Sequence, residues 1–245
     1  TLLPDGTEIP GTNFDYNYLQ HRKVDVVSSA LDFILPFEKY KITAGAKVSF
    51  TNTRNGINYD TSDPTLVQDD YFRYKEQIYA LYADYSREYS ERFSMQLGLR
   101  MEHTRTTGIS EAKDTEDEHD YTRLFPTVYL LYSPTDGHAL NFSFSNRISR
   151  PSQNMVNPFP FYQNKYTYAC GREDLKPSYT YNAELGYTLK NNFNVSAYYS
   201  YSDDVFFQVV DLDAETNVTS FLWENFMQTH AFGLNNSYTF RTKWL

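Results

Sequence analysis

Strict alternation of apolar and polar residues, sustained for eleven or more positions at a time, is the feature that most constrains this chain. From Arg92 to Glu102, Phe93, Met95, Leu97, Leu99 and Met101 alternate with Arg92, Ser94, Gln96, Gly98, Arg100 and Glu102. From Lys39 to Phe50, Tyr40, Ile42, Ala44, Ala46, Val48 and Phe50 alternate with Lys39, Lys41, Thr43, Gly45, Lys47 and Ser49. Tyr179 to Leu189, Leu140 to Ile148 and Phe193 to Tyr201 repeat the pattern. A period of two is the signature of a strand with two unlike faces. Eleven residues, tilted, cross a bilayer.

The period predicts an all-β chain of about nine long strands, near 23–35, 39–52, 75–89, 92–106, 121–133, 138–150, 177–189, 192–205 and 226–240, and no helix. Pro126 lies inside the fifth strand and removes a ladder donor, so a bulge is expected there. Short turns fall near Pro36 to Glu38, Ser90-Glu91, Pro134 to Gly137, Lys190-Asn191 and Arg241 to Lys243. Long connections cover about 53–74, 107–120, 151–176 and 206–225. Short and long connections therefore alternate, which places all the long ones at one end of the sheet. That sorting fits an antiparallel up-and-down transmembrane β-barrel, with short periplasmic turns and long extracellular loops.

Composition is consistent with this reading. The longest apolar run is Ile78 to Ala83, far short of the ~20 residues of a membrane-crossing helix. A barrel wall keeps its average hydropathy polar, because half its residues face water. Aromatics are abundant, with 23 Tyr and 18 Phe. They gather near strand ends at Tyr85, Tyr89, Tyr129, Tyr132, Tyr198 to Tyr201, Tyr238 and Phe240, where interfacial girdles are expected. The face carrying Lys41, Lys47, Arg92, Arg100, Glu102, Arg147 and Glu184 is assigned to the lumen, and the opposite face to lipid. A net charge of −9 argues against nucleic acid as a partner. Cys170 is the single cysteine, so an internal disulfide and a cysteine zinc site are excluded.

No catalytic constellation and no cofactor motif is present. His21, His103, His119, His138 and His230 are scattered, although His103 and His119 flank an acidic run, Glu111 to Asp120. That run reads as a solvated loop tip, and no calcium-loop spacing occurs in it. The candidate ligand-contacting residues are Phe159, Phe161, Tyr162, Tyr166 and Tyr168, five aromatics in one long connection. The other function class consistent with the residues is a soluble β-rich cell-surface binding or adhesion module.

Several segments carry a more specific signal. Asn146-Arg147-Ile148-Ser149-Arg150-Pro151-Ser152 is followed by Asn157-Pro158-Phe159, by Tyr166-Thr167-Tyr168, and by Gly171-Arg172-Glu173-Asp174-Leu175-Lys176-Pro177-Ser178. Glu184-Leu185-Gly186-Tyr187 comes next, while Tyr79 to Arg87, Gly98 to Glu102 and Leu124 to Thr127 precede them. In order and spacing these resemble the barrel of Bacteroidetes TonB-dependent receptors, the outer membrane protein beta-barrel family. Arg172-Glu173 stands where that pattern has Asn-Pro, and Ser178 where it has Glu. The resemblance implies a bacterial outer-membrane transporter importing a bulky nutrient such as a siderophore, vitamin, peptide or glycan. It further implies a 22-stranded barrel surrounded by outer-membrane lipid, a plug domain energised by periplasmic TonB, and an extracellular small ligand. At roughly 51 residues per hairpin, eleven hairpins need roughly 560 residues. Residues 1–245 are accordingly read as part of one barrel domain, a fragment that begins mid-protein.

Overall fold

The structure, a computed structural model, describes residues 16–61, 69–111 and 114–240. Nine long strands form its wall: β1 (Tyr16–Pro36), β2 (Tyr40–Thr61), β3 (Asp70–Ser90), β4 (Phe93–Ser110), β5 (Thr115–Tyr132), β6 (His138–Ser149), β9 (Ser178–Leu189), β10 (Phe193–Asp213) and β11 (Val218–Tyr238). Between β6 and β9 lie a one-turn helix α1 (Gln153–Val156) and a short hairpin of β7 (Phe161–Asn164) and β8 (Thr167–Cys170). The sheet order is β1-β2-β3-β4-β5-β6-β9-β10-β11-β8-β7, an open sheet of eleven strands. The nine wall strands meander in chain order, each antiparallel to its neighbour. β8 departs from that order and pairs parallel to β11.

The expected strand count is corrected from nine to eleven, and a helix is added. Both changes fall inside the connection 151–176. The expected loops 53–74, 107–120 and 206–225 are also corrected. β2 runs on to Thr61 and β3 starts from Asp70, β4 and β5 stay paired up to Ser110 and Thr115, and β10 and β11 meet at 214–217. Three of the four long connections are therefore tall hairpins. At about 3.3 Å per residue a 21-residue strand such as β10 is roughly 70 Å long, well beyond a tilted bilayer crossing. The expected turn at Arg241 to Lys243 lies outside the described residues.

Register sorts the two faces. One row across the sheet reads Lys41, Ser86, Gln96, Tyr129, Ser143, Glu184, Tyr198 and Gly233. The adjacent row, on the opposite face, reads Leu35, Ile42, Tyr85, Leu97, Val128, Phe144, Ala183, Tyr199 and Phe232. The first row shares its face with buried Glu102, Ile57 and Phe72, over which the 151–176 segment folds. The second face holds Leu81, Leu99, Leu185 and Phe232, each more than half exposed. Polar residues thus point inward, and the outward face is an apolar band.

Aromatic rings border that band at two levels. Near the short turns, Phe37 stacks on Tyr40, Tyr40 approaches Tyr85, and Tyr89 approaches Phe93, with centroids 4.5, 5.7 and 5.5 Å apart. Higher up, Tyr79 meets Phe50 and His103, and Tyr201 meets Tyr181 and His230. Phe93 and His103 mark the two levels on β4. At the usual tilt they stand about 25 Å apart along the barrel axis, the height of a girdled membrane band.

The facing has a direct consequence. In the complete receptor, Leu97→Arg is expected to cost about 2–4 kcal/mol, because an arginine on the outward band meets hydrocarbon. Gln96→Arg adds a charge to the inner row and is expected to be nearly neutral. The yield of heat-modifiable folded protein in outer-membrane fractions measures the difference, and equal yields would refute the facing.

Pro126 does not form a bulge. The β5–β6 ladder covers only Thr127 to Tyr132 on β5 and ends one residue short of Pro126. The Leu124 carbonyl, two residues away and of the same parity, accepts a 3.3 Å bond from the Asn146 side-chain amide of β6. Alternate residues of an antiparallel strand address alternate neighbours, so Pro126 also addresses β6. Its missing N–H ends the ladder there, and above it β5 and β6 separate. The register shifts on this wall lie instead in β3, between Glu88 and Ser90, and in β10 between Ser202 and Phe206, where Asp204 takes φ 52°.

Candidate functional site

The connection between β6 and β9 folds onto the inner face at the long-hairpin end, and its sequence motifs are the parts that fix it there. Arg150 follows the last residue of β6. Its guanidinium Nη2 donates to Glu102 Oε2 at 2.9 Å and to Thr104 Oγ1 at 3.0 Å. Arg100 pairs with the other oxygen of Glu102. Glu76 stands 3.8 Å from Arg150 Nε. Two carboxylates and two guanidiniums thus balance on the inner wall, with Glu102 only 2% exposed. Burial raises the Glu76 carboxyl above its ordinary range, against the pull of Arg150. Burial likewise raises the neighbouring Tyr74 phenol.

Beyond Arg150 the segment packs through an apolar cluster. Val156, Phe159 and Leu175 are buried against Ile57 of β2 and Phe72 of β3, with Tyr59, Tyr74, Phe206 and Trp223 around them. Phe159 meets Phe72 edge to face at 6.3 Å. Buried Asn157 turns the chain into this cluster by accepting the Phe159 N–H through its side-chain oxygen, at 3.2 Å. Gly171 donates its N–H to the Asn157 carbonyl, and Arg172 to that of Met155. A Cβ on Gly171 would overlap both carbonyl oxygens, so the strand from β8 can pass α1 this closely only as glycine. Arg172 then pairs with Asp174 and with Glu224 of β11, each at 2.7 Å. Asn225 clamps Lys176 by bonding both its N–H and its carbonyl, at 2.8 and 2.9 Å.

The five sequence-identified aromatics fall into unlike positions. Phe159 is buried in the cluster at 1% exposure. Phe161 sits edge-on to Tyr18 of β1, and Tyr162 lies between Tyr59 and Tyr168. Tyr166, at the β7–β8 turn, is about half exposed beneath Lys165, while Thr219 of β11 donates to its carbonyl. With Arg22 reaching Asn154 and Tyr59 donating to Pro160, the segment spans from β1–β3 to β10–β11 as an inner brace.

His103 and His119 do not converge. His103 shares the outward face with Met101, whereas His119 pairs with Thr106 and faces inward. The acidic run is a loop tip only as far as Asp114, and Thr115 to Asp120 belong to β5. Among the described residues, no three His, Cys, Asp or Glu side chains are arranged to hold a metal ion. The residues that sequence patterning left unconnected are Glu76, Glu102 and Arg150. The one signal pointing to them was that Arg150 and Glu102 each lie in a family-like segment.

A sequence profile for the outer membrane protein beta-barrel family matches residues 2–245. No curated protein sequence matches the chain significantly. Among solved structures, the copper transporter OprC is similar with a TM-score of 0.67 and 12% identity, over 91% of this chain and 37% of that one. The ferric enterobactin receptor PfeA of Pseudomonas aeruginosa has a TM-score of 0.57 and 14% identity, over 89% and 33% of the two chains. The hemophore receptor HasR of Serratia marcescens has a TM-score of 0.56 and 12% identity, over 90% and 39%. The chain thus spans less than two fifths of the length of each. At such low identities the structural likeness shows the fold alone.

Proposed function

Because the chain belongs to the outer membrane protein beta-barrel family, a family of the bacterial outer membrane, we propose that it forms part of the wall of a TonB-dependent receptor importing a bulky nutrient. The observation that carries this reading is the ordered segment 151–176, folded onto the polar inner face at the long-hairpin end of a wall whose other face is apolar. A wall built this way suits a wide barrel whose mouth is narrowed from within. A soluble adhesion module would leave the row from Leu35 to Phe232 against water, an unfavourable exposure of contiguous apolar surface.

In this reading the complete protein closes a barrel of 22 strands around a plug domain that periplasmic TonB engages, and its origin is in Bacteroidetes. Outer-membrane lipid surrounds the apolar band. The long hairpins stand outside the cell, and a small extracellular ligand passes Tyr166, with Phe161, Tyr162 and Tyr168 behind it. Phe159 serves the packing of the segment. Copper, enterobactin and heme appear in the descriptions of the similar structures, and metal complexes of that size belong among the nutrients to try.

The test is a growth screen of a deletion strain on limiting iron, vitamin, peptide and glycan sources. Loss of growth on one source is expected, restored by the complete gene only when TonB is present. Restoration without TonB would contradict the reading.

A further inference from the structure

Where β5 leaves β6, the wall contains a strand edge with no ladder on one side. β4 pairs with the whole of β5, from Thr115 to Tyr132, but β6 takes only Thr127 to Tyr132. The Leu124 carbonyl shows that even-numbered residues of β5 turn their peptide groups toward β6. Glu118, Asp120 and Thr122 therefore direct their N–H and C=O groups into the gap. Beyond it the chain returns as Leu175 to Tyr179. A cavity of about 330 Å³ separates the two, lined by Glu118 to Tyr121 on one side and Lys176, Pro177 and Tyr179 on the other.

We propose that this gap is a strand-addition site, in which an extended peptide from the extracellular side pairs with the free edge of β5. Three of the charged side chains around the cavity have other commitments. Arg150 is held by Glu102, Arg123 lies over the Tyr179 ring at 4.8 Å, and Glu118 pairs with Arg105. Across the gap, both backbone groups of Lys176 are taken by Asn225. Besides the unpartnered Nε2 of His119, what remains is the alternating row of donors and acceptors on β5, and another extended backbone is the group that matches such a row. The cavity suits a few extended residues and excludes a folded partner. Pro126 keeps the site open, because β6 cannot zip upward past a residue without an N–H.

The proposal rests on the reading of the long-hairpin end as the extracellular mouth, and it names peptides as the ligand class. The experiment uses the complete receptor in detergent and a fluorophore-labelled hexapeptide of alternating threonine and valine, read by anisotropy. The probe should bind the native receptor, and its fully N-methylated form should not. Thr122→Pro removes one edge N–H without touching the β4 ladder and should weaken binding about tenfold. Thr122→Val keeps the N–H and should bind as the native protein does. Failure of the probe to bind, equal binding of the methylated form, or native affinity in Thr122→Pro would overturn the proposal. Binding is measured without transport, so a receptor that fails to bind the probe yet imports another nutrient through TonB refutes this site alone.

Discussion

Arg150→Ala is expected to release the inner brace while leaving the barrel assembled. The substitution takes from Glu102 the guanidinium 2.9 Å away, and Glu102 is 2% exposed. Removing one partner of a buried pair costs about 3–5 kcal/mol, because the remaining charge stays desolvated. Arg100 still holds the second oxygen of Glu102, so about 3 kcal/mol is the better expectation. Hydrogen exchange of the amides from 153 to 176 should accelerate roughly a hundredfold, while amides of β3 and β4 below Glu102 stay protected. Arg150→Ala combined with Glu102→Gln should recover part of the loss, since the most deeply buried carboxylate is then neutral. Unchanged exchange in the single variant would mean that the ion quartet does not anchor the segment.

Phe159→Ala attacks the same brace from its apolar side. Phe159 is 1% exposed against Phe72, Ile57, Val156 and Leu175. A Phe→Ala change at a site this enclosed costs about 3–5 kcal/mol, through lost transfer energy and the cavity left behind. Exchange over 153–176 should rise by two orders of magnitude or more. Tyr166→Ala, at an exposed turn, should leave it unchanged. Equal effects of the two would contradict the division between a packing aromatic and a surface one.

The wall was legible in the sequence because membrane and lumen impose unlike faces on every strand. That is why Phe93 to Met101 and Tyr40 to Phe50 alternate, and why the register places Leu97 and Gln96 on opposite faces. The alternation fades where strands rise above the membrane band, with no hydrocarbon outside and with Thr106, Ser110 and Ser220 buried on the inner side. Thr106 to Asp120 and Phe206 to Asn225 then resemble loops, although they pair as β4–β5 and β10–β11. Pro126 was visible as a missing donor. Whether a missing donor makes a bulge or ends a ladder depends on the neighbouring strand, and local sequence carries no record of that.

The candidate site was legible as a motif and not as chemistry. The residues from Arg150-Pro151 through Asn157-Pro158-Phe159 to Gly171 and Leu175 stood out as a pattern; Arg150, Phe159 and Leu175 prove to hold the 151–176 segment against the wall, and Asn157 and Gly171 to fold it on itself. Five aromatics in one connection read as a ligand surface from composition alone. Burial separates Phe159 from Tyr166, and it depends on Phe72, distant in sequence. The Arg150–Glu102 pair is likewise invisible to any local window.

The most direct test of the account is the orientation of the wall in the intact cell. In the complete receptor with every native cysteine, Cys170 included, replaced by serine, a single cysteine is placed at Glu215, in the turn at 214–217, or at Asp136, in the short turn between β5 and β6. Both positions are exposed. A polyethylene-glycol maleimide too large for porins should label Glu215→Cys on intact cells, and Asp136→Cys only after the outer membrane is opened. Labelling of Asp136→Cys alone, or equal labelling of both on intact cells, would contradict an outer-membrane barrel with its tall hairpins outside.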